Sequence, residues 1–325
     1  MPERNPRVVV IGGTYIDMAI RCSHVPAPGQ VLSGSALSCT VAGPGPVQAV
    51  QAALCRCEVC LISKVGGDAF AQMALKSLGE YKVDTEYVFF AEAKNTGVIV
   101  TLVNSEGENA ICHYTGANSA LQPADIDVAE ECMAKADVCL IHGCLPQEAI
   151  AAAIRCANLH RVPVILNPAR PIEQTDQQAS DLPPEYFSAD ILVANLEKAA
   201  QITEQLAANI RTAKMIGSDL VARGTPCAVI TMGPRGCVVV DRSGADHMPA
   251  FEVDVVDRTG SGDAFAGALA ACYAVKRDVR DAVKFASAAG ALVCTRFGAI
   301  EALPTRAEII QLLQREDIDR LPRNS

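Results

Sequence analysis

Residues 253–269 read Val-Asp-Val-Val-Asp-Arg-Thr-Gly-Ser-Gly-Asp-Ala-Phe-Ala-Gly-Ala-Leu. The apolar residues within 253–257 predict a strand, and the two glycines at 260 and 262 predict a tight turn. Phe265 and Leu269 then recur at helical spacing. At a turn that leads into a helix, the first N–H groups have no partner within the helix, and the helix dipole adds partial positive charge. We therefore expect an anion-binding site at this turn.

Asp263 follows the glycine turn directly, and two roles are open to it. Anion binding alone does not explain this residue, because a carboxylate would be repelled by the bound anion. It can be a helix-start residue, a position where Asp is common. It can also be a general base that removes a proton from a hydroxyl attacking a phosphorus atom. Taken by itself, the stretch favours the helix-start role.

The composition indicates a globular protein without a polyanionic partner. The 325 residues are 50% hydrophobic and 20% charged, with a formal net charge of −9. This charge argues against nucleic acid or an anionic membrane surface as a general partner. No apolar run reaches the length of a membrane span, and residues 1–5 lead into a strand without the core of a signal peptide. We expect a cytoplasmic protein.

The fourteen cysteines fit a reducing compartment, because many of them lie in apolar runs such as residues 138–141. The cluster Cys55, Cys57 and Cys60 resembles a metal site at first sight. Structural zinc sites add a second pair of ligands at a defined spacing, and none is evident in the sequence. We therefore interpret the cluster as the end of a helix that enters a buried strand.

Strands and helices alternate along the chain. Apolar strands are predicted at residues 7–11, 59–62, 138–141, 164–166, 191–193 and 228–231, and a strand pair at 97–103 and 110–114. Helices are predicted near residues 47–54, 68–78, 147–159, 196–223 and 282–293. This order predicts an α/β protein with a doubly wound, mainly parallel sheet and helices on both faces. The polar run at 173–178 is predicted to be a surface loop.

Residues 257–265 resemble the second signature of the ribokinase, or PfkB, family of carbohydrate kinases, where Asp-Thr-Thr-Gly-Ala-Gly-Asp is usual. Residues 42–49, Ala-Gly-Pro-Gly-Pro-Val-Gln-Ala, resemble its first signature, Gly-Gly-Lys-Gly-Ala-Asn-Gln-Ala. Further matches occur in the family's order at residues 65–68, 116–118, 167–169, 231–236 and 298–299. The resemblance covers nearly the whole chain, so it implies a single ribokinase-like kinase domain over residues 1–325.

This resemblance implies a doubly wound α/β fold with a small β-sheet lid at about residues 14–41 and 96–115. It also implies transfer of the γ-phosphoryl group of ATP to a hydroxyl group. By position, Asp263 would be the catalytic base, and the backbone around Gly260, Ser261 and Gly262 would form the anion hole. Given the resemblance, the role of base becomes the preferred one for Asp263.

The resemblance further implies where the nucleotide and the ions bind. ATP would lie along the turn at 231–236, and its predicted contacts are Asn195, Thr231, Gly233, Gly236, Gly260, Gly262 and Ser287. A potassium ion would order the anion-hole loop, and its predicted ligands are Asp257, Thr259 and carbonyls near Val293, Arg296 and Gly298. Magnesium is expected with the nucleotide.

The chain departs from the family pattern in three places, of which the mildest is Ser287 in place of the family's adenine-side Asn. In the metal and phosphate motif Asn-x-x-Glu, the last position is Lys198, and Glu197 lies one residue early. At the sugar end, the usual Asn, Lys, Asn and Glu are replaced by Tyr15, Pro44, Val47 and Cys144. The predicted substrate-binding set is therefore Tyr15, Asp17, Gly43, Gly45, Val47, Cys144 and Asp263. Losing these polar partners would cost on the order of several kcal/mol, so ribose is not the expected substrate.

Three functions remain open from the sequence. The preferred one is an ATP-dependent kinase of a sugar, sugar derivative or nucleoside that is more apolar on one face than ribose. The second is a non-catalytic member that binds a small molecule or nucleotide. The third, a nucleotide-binding oxidoreductase, lacks the expected Gly-x-Gly-x-x-Gly after the first strand. An apolar lid face at Val98, Val100, Leu102 and Ile111 predicts a homodimer through the lid.

Overall fold

The computed structural model describes residues 4–169 and 182–319, so the loop predicted at 173–178 lies outside the described residues. Its strands are β1 (Arg7–Ile11), β2 (Tyr15–Arg21), β3 (Ala36–Ala42), β4 (Glu58–Gly66), β5 (Val83–Asp84), β6 (Val88–Ala91), β7 (Gly97–Val103), β8 (Asn109–Tyr114), β9 (Val138–His142), β10 (Val164–Asn167), β11 (Ile191–Asn195), β12 (Cys227–Thr231), β13 (Cys237–Asp241) and β14 (Gly244–Met248). Its helices are α1 (Pro44–Leu54), α2 (Ala69–Glu80), α3 (Pro123–Val128), α4 (Glu130–Ala134), α5 (Gln147–Leu159), α6 (Leu196–Thr203), α7 (Ile210–Ala222), α8 (Ser261–Lys276), α9 (Val279–Val293) and α10 (Arg306–Asp319).

Ten of these strands form one large sheet in the order β14-β13-β12-β11-β10-β9-β1-β4-β5, with β6 also paired to β4. The strands from β12 to β5 run parallel, and β13 and β14 are antiparallel at one edge. Successive side chains of a strand point to opposite faces. Accordingly, Val8 and Val10 belong to a buried cluster with residues of α1, α2, α8 and α9, whereas Val9 and Ile11 belong to a second cluster with residues of α3, α4 and α5. The predicted doubly wound α/β fold is confirmed.

A separate sheet of four strands, which we call the small sheet, has the order β3-β2-β7-β8. Residues that pair across neighbouring strands share a face. Val98, Val100 and Leu102 therefore lie on one face, as predicted. Ile111 pairs with Thr101 and lies on the opposite face, so its assignment to the apolar face is wrong. The face on which Ile111 lies is decided by the register of the β7-β8 hairpin, and the alternation within each strand does not fix that register.

Residues 253–257 are not a strand, which corrects the prediction from their apolar pattern. Val255 and Val256 are 54% and 47% exposed. The N–H groups of Val256 and Asp257 donate to the carbonyl of Cys294, at the end of α9, at 2.8 and 3.2 Å. The segment therefore bonds to the end of a helix, and it pairs with no strand of the described residues.

The helix predicted at 196–223 is two helices, because Glu204 adopts a left-handed conformation (φ 55°) after α6 and Asn209 caps α7. The cysteine cluster has the predicted local structure, since α1 ends at Leu54 and β4 begins at Glu58. All fourteen cysteines lie in the described residues and are free thiols. Burial raises the pKa of both Cys55 and Cys57 to about 12. No helix of the described residues has the length and apolarity to cross a bilayer.

Candidate active site

The candidate site lies at the carboxyl ends of the parallel strands. The chain runs from β1 to β4 on one side of β1 and later reaches β9 on the other side. In open α/β sheets, ligands bind in the crevice outside the carboxyl ends of the strands, where the winding direction switches. Here that crevice follows Ile11 of β1 and His142 of β9. Asn195 and Thr231, at the ends of β11 and β12, extend the same edge.

Two glycine pairs bring the start of α1 against the end of β1. A Cβ atom on Gly12 would lie 2.7 Å from the Cα of Gly45, and one on Gly43 would lie 2.6 Å from the carbonyl oxygen of Gly13. Gly43 also has a φ of 96°, which side chains disfavour. The Gly45 N–H donates to the Gly13 carbonyl at 3.1 Å. Glycine at these positions is therefore required for the two segments to touch, and it places Gly43 and Gly45 at the crevice.

Tyr15 and Cys144 fill the space beside Gly13. A Cβ atom on Gly13 would lie 2.9 Å from the Tyr15 ring and 3.0 Å from Cys144 Sγ. Tyr15 is buried, and its ring centroid lies 4.8 Å from that of His113 on β8. Burial raises the pKa of the Cys144 thiol to about 12, so it is uncharged. At Tyr15 and Cys144, this end of the crevice therefore presents an aromatic ring and a neutral thiol in place of the amide and carboxylate expected for a hydrophilic sugar.

Asp17 and Val47 complete the predicted substrate positions. Asp17, on β2 of the small sheet, accepts a hydrogen bond from Thr101 Oγ1 at 3.0 Å. Val47 is buried in α1, and its Cγ1 would lie 3.8 Å from a Cβ atom on Gly260. Val47 thus packs against the glycine turn before α8. The structure brings the small sheet, α1 and the start of α8 together around one crevice.

The turn before α8 has the features of an anion site. Gly260 is the N-cap residue, has a φ of 76° and provides no side-chain cap. Ser261 N–H donates to the Arg258 carbonyl at 3.3 Å. Within the described residues, the N–H groups of Gly262 and Asp263 have no acceptor. A Cβ atom on Gly262 would meet nothing within 4 Å, so open space lies beside these donors. Free N–H groups at a helix start favour an anion.

Asp263 is the third residue of α8 and does not cap it. Its Oδ1 accepts a hydrogen bond from Gln48 Nε2 of α1 at 2.8 Å. Burial raises the pKa of Asp263, and the Gln48 hydrogen bond and the positive charge of Lys198 act in the opposite direction. The carboxylate therefore faces α1 and the crevice, which is the orientation that a base for a bound hydroxyl requires.

The predicted nucleotide positions lie along the carboxyl edge of the large sheet. Asn195 Oδ1 caps α6 by accepting the Lys198 N–H at 2.8 Å, and Asn195 pairs in register with Thr231. Gly233 and Gly236 form the turn from β12 to β13, with φ of 58° and 80°. A Cβ atom on Gly236 would lie only 2.0 Å from the Met248 carbonyl oxygen, so this turn admits no side chain there. Ser287 of α9 lies beside the same turn, with its Oγ 3.8 Å from Cys237 Sγ.

Lys198, and not Glu197, is directed toward the crevice. Glu197 is exposed, whereas Lys198 is half-buried. Burial, and to a smaller extent the charge of Lys198, lower the pKa of His142 to about 3. The same charge acts on Asp263. A cation at this position does not fit a protein-bound magnesium ion, and the described residues contain no cluster of three or more metal-ligating side chains.

Two of the positions predicted for potassium, Thr259 and Gly298, contact the carboxylate of Asp257. Asp257 Oδ1 accepts hydrogen bonds from the N–H and the hydroxyl of Thr259 at 2.9 and 2.7 Å, and its Oδ2 accepts from the Gly298 N–H at 3.3 Å. Burial acts to raise the pKa of Asp257, but these hydrogen bonds outweigh it and hold the pKa below its usual value. Val293 and Arg296 lie in the adjoining helix end, where the Arg296 N–H donates to the Val293 carbonyl at 3.3 Å. An ionised carboxylate is a ligand that suits a hard cation.

Sequence reasoning missed three residues that shape the site: Gln48, His142 and Asn118. Asn118 is fully buried; its Oδ1 accepts the Thr14 N–H at 2.8 Å and its Nδ2 donates to the Thr14 carbonyl at 2.8 Å. It thereby fixes the segment between β1 and β2. Gln48 and Asn118 lie inside the matched stretches 42–49 and 116–118, so the resemblance contained a signal for both. His142 is marked only by its place at the end of β9.

The chain is similar to known proteins over almost its whole length. The model of the pfkB family of carbohydrate kinases matches residues 5–306. The chain belongs to the PfkB family of carbohydrate kinases. This confirms the predicted enzyme class, an ATP-dependent carbohydrate kinase.

Two relatives and one solved structure illustrate the similarity of this PfkB-family kinase to others. It is 32% identical over 309 residues to the ribokinase of Bacillus subtilis (strain 168), covering 94% of this chain and 99% of the relative. It is 30% identical over 298 residues to a deoxyribokinase of Salmonella typhi, covering 92% and 95%. The structure of Arabidopsis thaliana ribokinase complexed with ribose and ATP superposes with a TM-score of 0.87, at 24% identity, over 96% of this chain and 99% of that one. At that identity the likeness shows the fold.

Proposed function

We propose that this kinase transfers the γ-phosphoryl group of ATP to a hydroxyl group of a sugar, a sugar derivative or a nucleoside, with Asp263 as the general base. The observation that carries the proposal is the turn before α8. There, an oriented carboxylate and free backbone N–H groups meet at the switch point of the sheet. Phosphoryl transfer needs mainly positioning, neutralisation of charge and a base for the nucleophile.

In this mechanism, the acceptor oxygen attacks the γ-phosphorus while Asp263 takes the hydroxyl proton. The bond between the γ-phosphorus and the bridging oxygen breaks, and its electron pair leaves with ADP. Negative charge on the transferring phosphoryl group is stabilised by the backbone N–H groups at Gly260 to Asp263, of which those of Gly262 and Asp263 are free. The dipole of α8, a helix of 16 residues, adds to this stabilisation.

ATP is proposed to bind along the carboxyl edge, in contact with Asn195, Thr231, Gly233, Gly236 and Ser287. The similarity in fold to a ribokinase described as complexed with ribose and ATP supports ATP as a ligand, and the placement rests on the position of these residues at that edge. Potassium would be held by Asp257 and by carbonyls near Val293, Arg296 and Gly298, and it would supply positive charge that orders the loop at Thr259. Magnesium is proposed to enter with the nucleotide, because Lys198 offers it no ligand.

The acceptor is proposed to be more apolar on one face than ribose. Tyr15, Val47 and Cys144 are three of the residues at the sugar end, and none carries a charge or an amide there. Asp17 provides a carboxylate for an acceptor hydroxyl. Relatives named deoxyribokinase and ribokinase are 30% and 32% identical to this chain, so the pocket residues carry this part of the proposal.

The small sheet is proposed to be a lid whose closure excludes water from the reacting phosphoryl group. Its face with Val98, Val100 and Leu102 is proposed to pair with a second copy, which would cover an apolar surface and exposed strand edges. Light scattering at micromolar concentration tests this, and a monomer would contradict it. A cytoplasmic location is part of the proposal, since free thiols suit a reducing compartment.

The test is ADP release with ATP, Mg²⁺ and K⁺ against a panel of pentoses, deoxypentoses, hexoses, sugar acids and nucleosides. Turnover on one acceptor supports the proposal and defines the pocket. The alternative, a non-catalytic binding protein, is favoured by one observation, the cationic Lys198 in the phosphate motif. ATP binding without turnover on any acceptor would favour that alternative.

A further inference from the structure

The orientation of Asp263 depends on one side chain from another helix. Gln48 Nε2 donates to Asp263 Oδ1 at 2.8 Å, across 215 residues of sequence. Within the described residues, Asp263 Oδ2 accepts no hydrogen bond from another residue. One carboxylate oxygen is therefore held and the other is left open to the crevice.

Gln48 makes no other side-chain hydrogen bond in the described residues. It is fully buried in α1, and its Oε1 has no partner. Burying an amide whose oxygen has no partner costs free energy, and the hydrogen bond of the Gln48 side chain that offsets this cost is the one to the Asp263 carboxylate. Gln51, one turn later, is equally buried and also has an Oε1 without a partner in the described residues, but its Nε2 has other partners: it donates to the Pro304 carbonyl at 3.0 Å and to Cys55 Sγ at 3.4 Å. Gln51 ties chain segments together, whereas Gln48 contacts the proposed base.

The packing of α1 against α8 makes this contact rigid. A Cβ atom on Gly267 of α8 would lie 2.5 Å from the Gln48 carbonyl oxygen and 3.2 Å from the Gln48 Cα. The helices therefore touch backbone to backbone at Gln48. A contact between two side chains on closely packed helices is held more accurately than one on a loop.

We propose that Gln48 is a positioning residue: it fixes Asp263 Oδ1 so that Oδ2 meets the acceptor hydroxyl, a role that rests on the proposed function of Asp263 as the base. A hydrogen bond to an ionised carboxylate also favours the ionised form, and only that form accepts a proton. The other groups acting on Asp263 are Lys198 of α6, which favours ionisation, and Cys144 after β9, whose thiol is uncharged.

The experiment compares Gln48→Met with the matched control Gln51→Met, using the acceptor found by the panel. Gln48→Met removes the donor at similar volume. Its kcat is expected to fall on the order of tenfold to a hundredfold, as for loss of a charged hydrogen bond, with the KM for ATP nearly unchanged. The acid limb of its kcat/KM profile is expected to move to higher pH, because Asp263 loses a group that favours its ionised form. Gln51→Met is expected to lower thermal stability and leave kcat and the acid limb in place.

Gln48→Glu decides the question if Gln48→Met does not fold. It has the same shape but places a second carboxylate against Asp263, so the acid limb is expected to move further to higher pH. An unchanged acid limb in whichever Gln48 variant folds, or equal effects of the Gln48 and Gln51 substitutions on kcat, overturns the positioning role. Failure of the proposed function gives a different result, since Asp263→Asn would then turn over as fast as the unmodified chain.

Discussion

Replacing Gly267 by alanine tests whether the close contact of α1 and α8 holds the site together. The new Cβ would lie 2.5 Å from the Gln48 carbonyl oxygen and 2.8 Å from Gln51 Cβ, whereas ordinary contact begins at 3.4 Å. The two helices must therefore separate by about 1 Å at this point. Overpacking of this kind costs about 1 to 3 kcal/mol, and the better helix propensity of alanine returns up to about 1 kcal/mol.

The same displacement reaches the base. Gln48 bonds Asp263 at 2.8 Å, and a shift of about 1 Å lengthens this bond beyond a normal hydrogen bond. Misplacement by that distance can lower a rate about a hundredfold. We expect Gly267→Ala to unfold at a lower urea concentration than the unmodified chain. We also expect its kcat with the best acceptor to fall by one to two orders of magnitude.

Gly79→Ala is the matched control, because a Cβ atom on this α2 glycine meets nothing within 4 Å. It is expected to stabilise the fold by up to about 1 kcal/mol and to leave kcat unchanged. Urea denaturation and steady-state ADP release measure both properties in both variants. If Gly267→Ala retains the stability and kcat of the unmodified chain, the packing argument is wrong.

Three further predictions concern charges. Lys64 Nζ lies 2.7 Å from Asp125 Oδ2 in a buried pair, so Lys64→Met should cost about 3 to 5 kcal/mol of unfolding free energy; an unchanged urea midpoint would refute this. The pKa of His142 is about 3 in the folded protein and 6.5 for an unperturbed histidine. Between pH 6.5 and pH 3, His142 is therefore protonated in the unfolded chain but not in the folded one. Stability should fall by about 1.4 kcal/mol per pH unit towards pH 3 from this group, and His142→Gln should flatten the slope of unfolding free energy against pH. Lys198→Met should raise the pKa of Asp263, because it removes a positive charge that favours the carboxylate. The acid limb of the kcat/KM profile should then move to higher pH, and an acid limb at the original pH would contradict this.

The large sheet could be predicted from sequence because its strands are buried on both faces and read as short apolar runs between periodic helices. The start of α8 was equally readable, since two glycines precede Phe265 and Leu269 at helical spacing. Residues 253–257 have the same local pattern as a strand and yet form none. A strand requires a neighbour, and local alternation does not reveal whether one is present.

The site was less predictable, because its contacts join residues far apart in the chain. The pair of Gln48 and Asp263 spans 215 residues, and no spacing rule connects them. The placement of Tyr15 and Cys144 beside Gly13 depends on the switch from β1 to β9, which only the resemblance indicated. The face on which Ile111 lies depends on hairpin register, and the break after α6 depends on the left-handed conformation of Glu204.

The most direct measurement of the central claim compares ATP binding and turnover in Asp263→Asn and in the unmodified chain. The substitution keeps the size of the side chain and removes the base. We expect the Kd for ATP by titration calorimetry to change little and the kcat on the best acceptor to fall by on the order of a hundredfold or more. Turnover at the original rate, or equal losses of ATP binding and turnover, would contradict the assignment of Asp263 as the general base.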